Sequence, residues 1–360
     1  MTHLILHIGH PKTGTTALQT VLSANAERLL TAGVLYPTKA PPLFHNHSLA
    51  KPALTGRDDH VIRRRNGLSG EALRQLSERY WADVRAEAQA HPHQTVILSW
   101  EWLWDAETAR AEGFRDRLSA ICDTVTVVGY LRDPARLFLS WMNQKSRGFQ
   151  DISLFPADYY RSVVEAYRMS GFEAVSMNAF ETAQLAGGDV VADFCGKYLP
   201  PALPALERGT AAERGNESVS NEAAALLQEM AVAYGTASPD RKDPLRGKIV
   251  RALREADRAL GGDLKPSLKP RIADALVARA ADLTWLRDEA GIRFADVDYG
   301  LVGTAGHPDL SALRKVADFS PVDPERLAAL RAMTEPKIAR IHGRGAVRSI
   351  FRRWAGGFAR

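Results

Sequence analysis

Four short apolar runs, separated by segments of helical periodicity, dominate the first 200 residues. The runs lie at 4–8, 95–100, 125–131 and 171–180, and they have the length of buried strands. Between them apolar residues recur at intervals of three and four, which is typical of amphipathic helices, as at 71–90. Strands that alternate with helices in this way predict an α/β fold built on a parallel sheet.

The second half of the chain has a different pattern. A proline cluster at 200–204 and a charged stretch at 207–217 precede helical patterns at 220–235, 249–260 and 271–290. We therefore predict an α/β core at 1–205 and a mainly helical C-terminal region at 206–360 that packs on the core. Within the core, residues 31–70 are broken by prolines, glycines and histidines and are predicted to form a loop beside the functional site.

A glycine-containing loop, Gly9 to Thr16, joins the first predicted strand to the first predicted helix. In this arrangement the first amides of the helix and the positive end of its dipole point at the loop, which predicts an anion site. Gly9 and Gly14 allow the backbone to close around a phosphate, while Lys12 supplies an ammonium group and Thr15 and Thr16 supply hydroxyls. The Gly-x-x-x-x-Gly-Lys-Ser/Thr nucleotide loop is not present, because Thr15 follows Gly14 and the lysine lies inside the loop.

A second candidate binding element follows the third strand, which ends at Arg132. Asp133 suits a helix N-cap and Pro134 the first helical position, so a helix is predicted to begin there. One face of this helix is polar and carries Arg136, Ser140, Asn143 and Arg147. An arginine at a strand end beside a polar helical face suits a second phosphate group.

The segment from Pro11 to Thr16 resembles the phosphosulfate loop of sulfotransferases that use 3′-phosphoadenosine 5′-phosphosulfate (PAPS), and the segment from Arg132 to Ser140 is similar to that family's 3′-phosphate-binding element. The resemblance covers mainly residues 3–200. It implies a three-layer α/β/α, P-loop-like parallel sheet, with the helical half as an addition. It also implies that Lys12 reaches the oxygen from which the sulfuryl group departs. The donor-binding residues implied are Pro11, Lys12, Thr13, Gly14, Thr15, Thr16, Arg132 and Ser140.

Sulfuryl transfer to a hydroxyl also needs a group that takes the acceptor proton. Members of the resembled family use a histidine or a glutamate, and this chain offers His45 and His47 in the 31–70 segment and Glu101 at the end of the second strand. We favour Glu101, because strand ends are rigid and its neighbouring tryptophans favour a raised carboxyl pKa. His47 remains the alternative, since the pKa of an imidazole starts near neutrality.

The net charge of +5 and the pI near 9.2 favour acidic partners. A nucleotide donor and a sulfated or carboxylated glycan would fit, as would nucleic acid or anionic lipid, and charge alone does not choose among them. With the resemblance, we expect the nucleotide donor and a hydroxyl or amine acceptor such as a glycan, and no nucleic acid partner. Residues 336–360 carry seven basic residues and no acidic one, with apolar residues interleaved. This pattern predicts a basic amphipathic helix that contacts an anionic membrane surface or a polyanionic acceptor. The alternative is a terminal helix that packs on the core.

The remaining sequence features narrow the function classes. No apolar run reaches the roughly 18 residues of a membrane span, so we expect a cytoplasmic protein, with peripheral membrane contact as the one exception. Cys122 and Cys195 are too few for a disulfide framework and do not have the spacing of metal ligands. The histidine pairs at positions 45/47 and 91/93 have no third ligand at a recognisable spacing, so we expect no bound metal.

Two further functions stay open beside the sulfotransferase. A phosphoryl-transfer kinase would place its lysine after Gly14, which this chain does not. A non-catalytic anion-binding protein of the same fold would tolerate the loss of Lys12 or Arg132, and both are present.

Overall fold

The computed structural model describes residues 1–38, 46–59, 62–63, 67–91, 94–148, 150–201, 206–207, 218–233, 244–262 and 264–342. The strands are β1 (His3–His7), β2 (Val34–Leu35), β3 (Thr95–Ser99), β4 (Thr124–Leu131) and β5 (Ala174–Ala179). The helices up to Met169 are α1 (Thr15–Ala24), α2 (Ala26–Thr31), α3 (Lys51–Thr55), α4 (Gly70–Ala90), α5 (Ala106–Ala109), α6 (Phe114–Leu118), α7 (Pro134–Arg147) and α8 (Arg161–Met169). The later helices are α9 (Val190–Tyr198), α10 (Asn221–Ala233), α11 (Pro244–Leu260), α12 (Pro270–Arg279), α13 (Leu283–Asp288), α14 (Val316–Phe319) and α15 (Pro324–His342).

The five strands form one all-parallel sheet in the order β2-β3-β1-β4-β5. This confirms the predicted α/β class. The central strand β1 pairs with β3 on one side and with β4 on the other. The chain leaves β1 for β2 on one side of the sheet and leaves β4 for β5 on the other side. The loops after β1 and β4 therefore diverge at the carboxyl edge of the sheet, which is where ligands bind in folds of this kind.

Both faces of the sheet are buried. On one face Ile5, Ile97 and Val128 belong to the same core cluster as Leu18 of α1 and Phe194 of α9. On the other face the core is built from Leu4, Leu6, Leu98 and Val127, all of which are fully buried. Strands covered on both faces need no polar alternation, and this explains why their sequences are continuous apolar runs.

The chain forms two compact units, each built from separate segments. The first comprises Met1–Asp133, Ala157–Gly215 and Ala280–Tyr299 and contains the sheet. The second comprises Pro134–Pro156, Asn216–Arg279 and Gly300–Arg360. Its core is helical and joins side chains of α7, α10 and α11, among them Phe138, Met142, Leu226, Met230 and Leu253. The predicted domain boundary, with a core at 1–205 and a helical region at 206–360, stays a prediction.

Two of the predicted elements differ in the structure. The helix predicted at 271–290 is two helices, α12 and α13, and Asp282 lies in the turn between them. The Asp282 carboxylate accepts hydrogen bonds from the backbone amides of Tyr160 and Arg161 at 2.7 and 2.9 Å, so it caps α8 rather than extending a helix of its own. The 31–70 segment, predicted to be loop, contains β2 and α3.

None of the helices in the described ranges is long and apolar enough to cross a membrane. The last of them, α15, contains Pro336 and ends at His342. The rest of the predicted basic helix, residues 343–360, lies outside the described residues, and its role stays a prediction.

Candidate functional site

The loop between β1 and α1 has a backbone that depends on its glycines. Gly9 and Gly14 both have positive φ angles, of 92° and 78°. A Cβ on Gly9 would lie 2.8 Å from the carbonyl oxygen of Glu101, and a Cβ on Gly14 would lie 2.8 Å from Cγ1 of Val190. Glycine is therefore needed at both positions for conformation and for space. Its absence of a side chain lets the loop lie directly against the end of β3 and the start of α9.

Lys12 has a φ angle of 68°, in the left-handed region. This conformation costs a residue with a side chain about 1–2 kcal/mol. Next to it, the Thr13 hydroxyl donates a hydrogen bond to the carbonyl oxygen of His10 at 2.6 Å and holds the turn. The Lys12 side chain is half-buried. Backbone strain at a half-buried lysine is a feature that clusters at ligand sites.

The start of α1 provides donors for an anion. Gly14 is the N-cap residue, and no side chain caps the helix there. The first amides of any helix lack an intrahelical acceptor. Thr15 is 3% exposed, and its Oγ1 has no hydrogen-bond partner, whereas Thr16 is exposed. A buried hydroxyl without a partner at an uncapped helix start is suited to an anion such as phosphate.

Arg132, at the end of β4, contacts this loop. Its Nη1 donates a hydrogen bond to the Lys12 carbonyl oxygen at 3.2 Å, and its guanidinium carbon lies 5.7 Å from the ring centre of Phe180. The Arg132 carbonyl oxygen accepts a hydrogen bond from the Tyr160 hydroxyl at 2.7 Å. The structure thus joins the two predicted binding elements, Lys12 and Arg132, between β1 and β4.

The helix after Arg132 contributes less than the sequence predicts. Ser140 lies half-buried on α7 in the second compact unit, and its grouping with Arg132 stays a prediction. Asn143, predicted on the polar face, is 1% exposed. Its amide donates to the Val219 carbonyl oxygen at 2.8 Å and accepts from the Val219 amide at 3.3 Å. Asn143 therefore holds the backbone that precedes α10.

Glu101 is separated from the end of β3 by Trp100 and begins a short 3₁₀ helix, Glu101–Leu103. Its backbone contacts the position of Gly9, and its side chain is half-buried. Burial, and secondarily the charge of Glu101, raise the pKa of Tyr159, so this phenol stays protonated beside the carboxylate. The Glu101 backbone thus lies at the carboxyl edge of the sheet next to Gly9, and the role of Glu101 as the base stays a prediction.

His47, the other candidate base, is fully buried and uses both ring nitrogens. Nδ1 accepts a hydrogen bond from the Ser99 amide and Nε2 donates one to the Pro37 carbonyl oxygen, each at 3.0 Å. Burial lowers the pKa of His47 to about 4, against a smaller opposing effect of these bonds. This geometry suits a structural link between residues 46–50 and the end of β3. His45 lies outside the described residues.

Sequence reasoning missed a polar network beneath the loop. The Ser99 hydroxyl lies 2.8 Å from Nδ1 of His7 and accepts a hydrogen bond from the Gln19 amide at 3.1 Å. All three side chains are buried, and burial lowers the pKa of His7 to about 3. The network ties β1, β3 and α1 together at the base of the loop. Its members are far apart in sequence, so only their position on one face of the sheet reveals it.

Sequence reasoning also missed His10, whose ring is fully buried among aromatic rings. The ring centres of Trp104 and Tyr159 lie 4.9 and 5.2 Å away, and Tyr160 stacks on the imidazole at 5.7 Å. Burial lowers the pKa of His10 to about 3, opposed by a hydrogen bond with the Pro11 backbone and helped by the charge of Arg132. His10 is therefore neutral, and its bare ring nitrogen has no hydrogen-bond partner; nor has Nε1 of Trp104.

Within the described residues, the structure indicates neither a metal centre nor a disulfide. The described part of the chain contains no group of three or more histidine, cysteine or acidic side chains that could hold a metal ion. Cys122 and Cys195 are not paired with each other. Lys12, Arg132 and Glu101, by contrast, all follow strands at one edge of the sheet. Comparison of the chain with family models, curated proteins and solved structures finds no match.

Proposed function

We propose that this protein is a PAPS-dependent sulfotransferase that acts on a hydroxyl or amine acceptor, with a glycan as the favoured class, and that its fold is a three-layer, P-loop-like sheet. One observation carries the proposal. The loop after β1 holds a lysine inside it in a left-handed conformation, and Arg132 from β4 donates to that lysine's carbonyl oxygen. This arrangement supports the resemblance of Pro11–Thr16 and Arg132 to the donor-binding elements of that family.

The residues of the loop fit a nucleotide 5′-phosphate. The unpartnered Thr15 hydroxyl and the uncapped amides of α1 supply donors, and side chains at Gly9 and Gly14 would clash with the elements around the loop. Arg132 supplies planar donors suited to a second phosphate, with Ser140 as the further candidate. PAPS, when bound, supplies the sulfuryl group and a nucleotide phosphate as its leaving group. A lysine inside the loop suits this donor, which has no β- or γ-phosphate.

Two side chains of the protein then have separate roles in the transfer step. The Lys12 ammonium stabilises the negative charge that develops on the leaving phosphate oxygen. The Glu101 carboxylate takes the proton of the acceptor as the new bond from the acceptor atom to sulfur forms and the bond from sulfur to the phosphate oxygen breaks. His47 keeps its structural role in this proposal, because both of its nitrogens are already bonded.

The test compares two nucleotides. We expect 3′-phosphoadenosine 5′-phosphate (PAP) to raise the melting temperature, with a gain of about 2.7 kcal/mol at a hundredfold excess over the dissociation constant. ATP with magnesium should have a much smaller effect. The Lys12→Ala variant should keep most of this PAP effect and lose transfer of radiolabelled sulfate from PAPS. Lys248→Ala, which removes an exposed lysine of α11, is the matched control and should keep both.

Two results would overturn the proposal. Stabilisation by ATP with magnesium but not by PAP would favour the kinase alternative. Stabilisation by PAP without transfer to any acceptor in the wild-type protein would favour a non-catalytic binding protein.

A further inference from the structure

The rings of His10, Trp104, Tyr159 and Tyr160, here called the aromatic cluster, lie beside the loop but have no role in the chemistry described so far. His10 directly precedes Pro11 and Lys12 in the chain, and the charge of Glu101 acts on Tyr159. The cluster therefore lies next to both the donor loop and the candidate base, where an acceptor has to bind.

The unused polar atoms of the cluster specify a chemistry. A neutral imidazole has one N–H donor and one bare nitrogen that accepts, and an indole has one N–H donor. The Pro11 backbone pairs with the His10 N–H, which leaves the bare ring nitrogen of His10 and Nε1–H of Trp104 buried and without a partner. Buried polar groups in native proteins are nearly always paired, and leaving one unpaired is destabilising. These two atoms, one acceptor and one donor, are suited to a ligand that both donates and accepts.

A hydroxyl group meets this requirement, and charged groups do not. A carboxylate accepts but cannot donate, so the bare nitrogen of His10 would stay unpaired. An ammonium group donates but cannot accept, so Nε1–H of Trp104 would stay unpaired. A neutral His10 also offers no charge to an anion. The surrounding rings favour a ligand with an apolar face, as a sugar ring presents through its C–H groups.

We propose that the aromatic cluster is the acceptor subsite and that it binds a neutral sugar residue, whose hydroxyls pair with the bare ring nitrogen of His10 and with Nε1 of Trp104. The inference rests on the proposed function and adds to it that the acceptor is a hydroxyl of an uncharged sugar rather than an amine or a uronic acid. Tyr159 is the partly exposed ring of the cluster, whereas Trp104 and Tyr160 are buried. A sugar that reaches His10 therefore has to displace the Tyr159 ring.

The experiment uses the full chain saturated with PAP. An array of uncharged oligosaccharides, with and without N-acetyl groups, of amino-sugar oligosaccharides and of uronic-acid oligosaccharides identifies what binds, and calorimetry measures the dissociation constant of the best glycan. We expect binding to be confined to the uncharged sugars. His10→Phe, which keeps a ring and removes both nitrogens, should weaken binding at least about tenfold, while His10→Gln, whose amide donates and accepts, should weaken it less.

A second pair of variants separates the subsite from general loss of structure. Trp104→Phe removes one indole N–H from the cluster and should weaken binding about tenfold. Trp100→Phe also removes a buried indole N–H without a partner, but from outside the cluster, and should leave binding unchanged. This pair decides the matter if His10→Phe does not fold.

Three outcomes would overturn the inference: no neutral glycan bound by the PAP-loaded wild type, preferential binding of uronic acids, or equal losses in Trp104→Phe and Trp100→Phe. In each case a retained effect of PAP on the melting temperature would leave the proposed function standing. If the protein binds neutral glycans through the aromatic cluster but PAP does not change its melting temperature, the proposed function is refuted and the proposed sugar site is supported.

Discussion

Lowering the pH from 7 to 5 should strongly destabilise the first compact unit. His7, His10 and His47 are at most 1% exposed, and burial lowers their pKa values to about 3, 3 and 4. In the unfolded chain a histidine has a pKa of about 6.5. Between these values the unfolded chain binds protons that the folded chain excludes. The contribution of these neutral histidines to the free energy of unfolding is therefore fully present above pH 6.5 and is lost as the pH falls from 6.5 toward their folded-state pKa values.

The size of the effect follows from linkage. Each buried histidine removes about 1.4 kcal/mol per pH unit below pH 6.5, or about 2 kcal/mol between pH 7 and pH 5. The three together remove about 6 kcal/mol, which is comparable with the total stability of many domains. Paired carboxylates such as Glu173, whose pKa is lowered, contribute acid sensitivity only below about pH 4.5. The window from pH 5 to 6.5 therefore reports mainly on the histidines.

Urea unfolding followed by near-ultraviolet circular dichroism, at steps from pH 5 to 7.5, measures this slope. In His47→Gln the slope should fall by at most about a third, because one of the three fully buried histidines of the described residues is gone and the partly buried His3, whose pKa burial also lowers, still contributes. The stability at pH 7 should also fall by about 1–3 kcal/mol from the lost hydrogen bonds. Ser99→Ala is the matched control: it removes a hydroxyl that His7 and Gln19 contact, but no titratable group. It should lower the stability and keep the slope. If the free energy of unfolding of His47→Gln changes with pH as steeply as that of the wild type, buried neutral histidines are not the cause of the acid sensitivity.

The remaining predictions concern the site and the C-terminus. Glu101→Gln keeps shape and removes basicity, so turnover should fall about a hundredfold with PAP affinity intact; a smaller loss would exclude Glu101 as the base. Arg132→Ala and Ser140→Ala should weaken binding of PAP more than of its 3′-dephosphorylated analogue in calorimetry, by about 1.5–3 kcal/mol for the charged contact, and equal losses would contradict a 3′-phosphate role. Gly14→Ala should lower the free energy of unfolding by about 1–3 kcal/mol, because of its φ angle and the 2.8 Å approach to a neighbouring side chain; unchanged stability would show that the loop can relax. Deleting residues 343–360 should leave PAP binding unchanged and reduce binding to anionic vesicles at low salt, and equal vesicle binding would remove any membrane role.

Much of the fold was predictable because its signals are local. β4 is Thr124–Leu131 where the apolar run predicts 125–131, and α4 begins at Gly70 where the helical pattern predicts residue 71. The start of α10 follows Ser220, whose hydroxyl accepts from the Ala223 amide at 3.1 Å as a capping residue does. In each case residues adjacent in sequence decide the conformation.

Other features depend on partners distant in sequence. The sequence pattern places Asp282 inside a helix, but in the structure its carboxylate accepts hydrogen bonds from the backbone amides of Tyr160 and Arg161. Asn143 fits a polar helical face, yet it is buried against the Val219 backbone. His47 has the residue type of a catalytic base, but in the structure both of its ring nitrogens form hydrogen bonds with the backbone. Residue type and spacing carry no information about such partners.

By itself, the sequence determined the α/β class and the Gly9–Thr16 loop between a strand and a helix, because apolar runs, periodicity and glycine positions are properties of neighbouring residues. Only the tertiary structure decided the strand order that places β1 beside β4, the contact of Arg132 with Lys12, and the burial of His10 among aromatic rings. Those outcomes depend on which distant segments pack together. Packing is selected by the fit of whole surfaces and the pairing of buried polar groups, and neither can be judged from a segment in isolation.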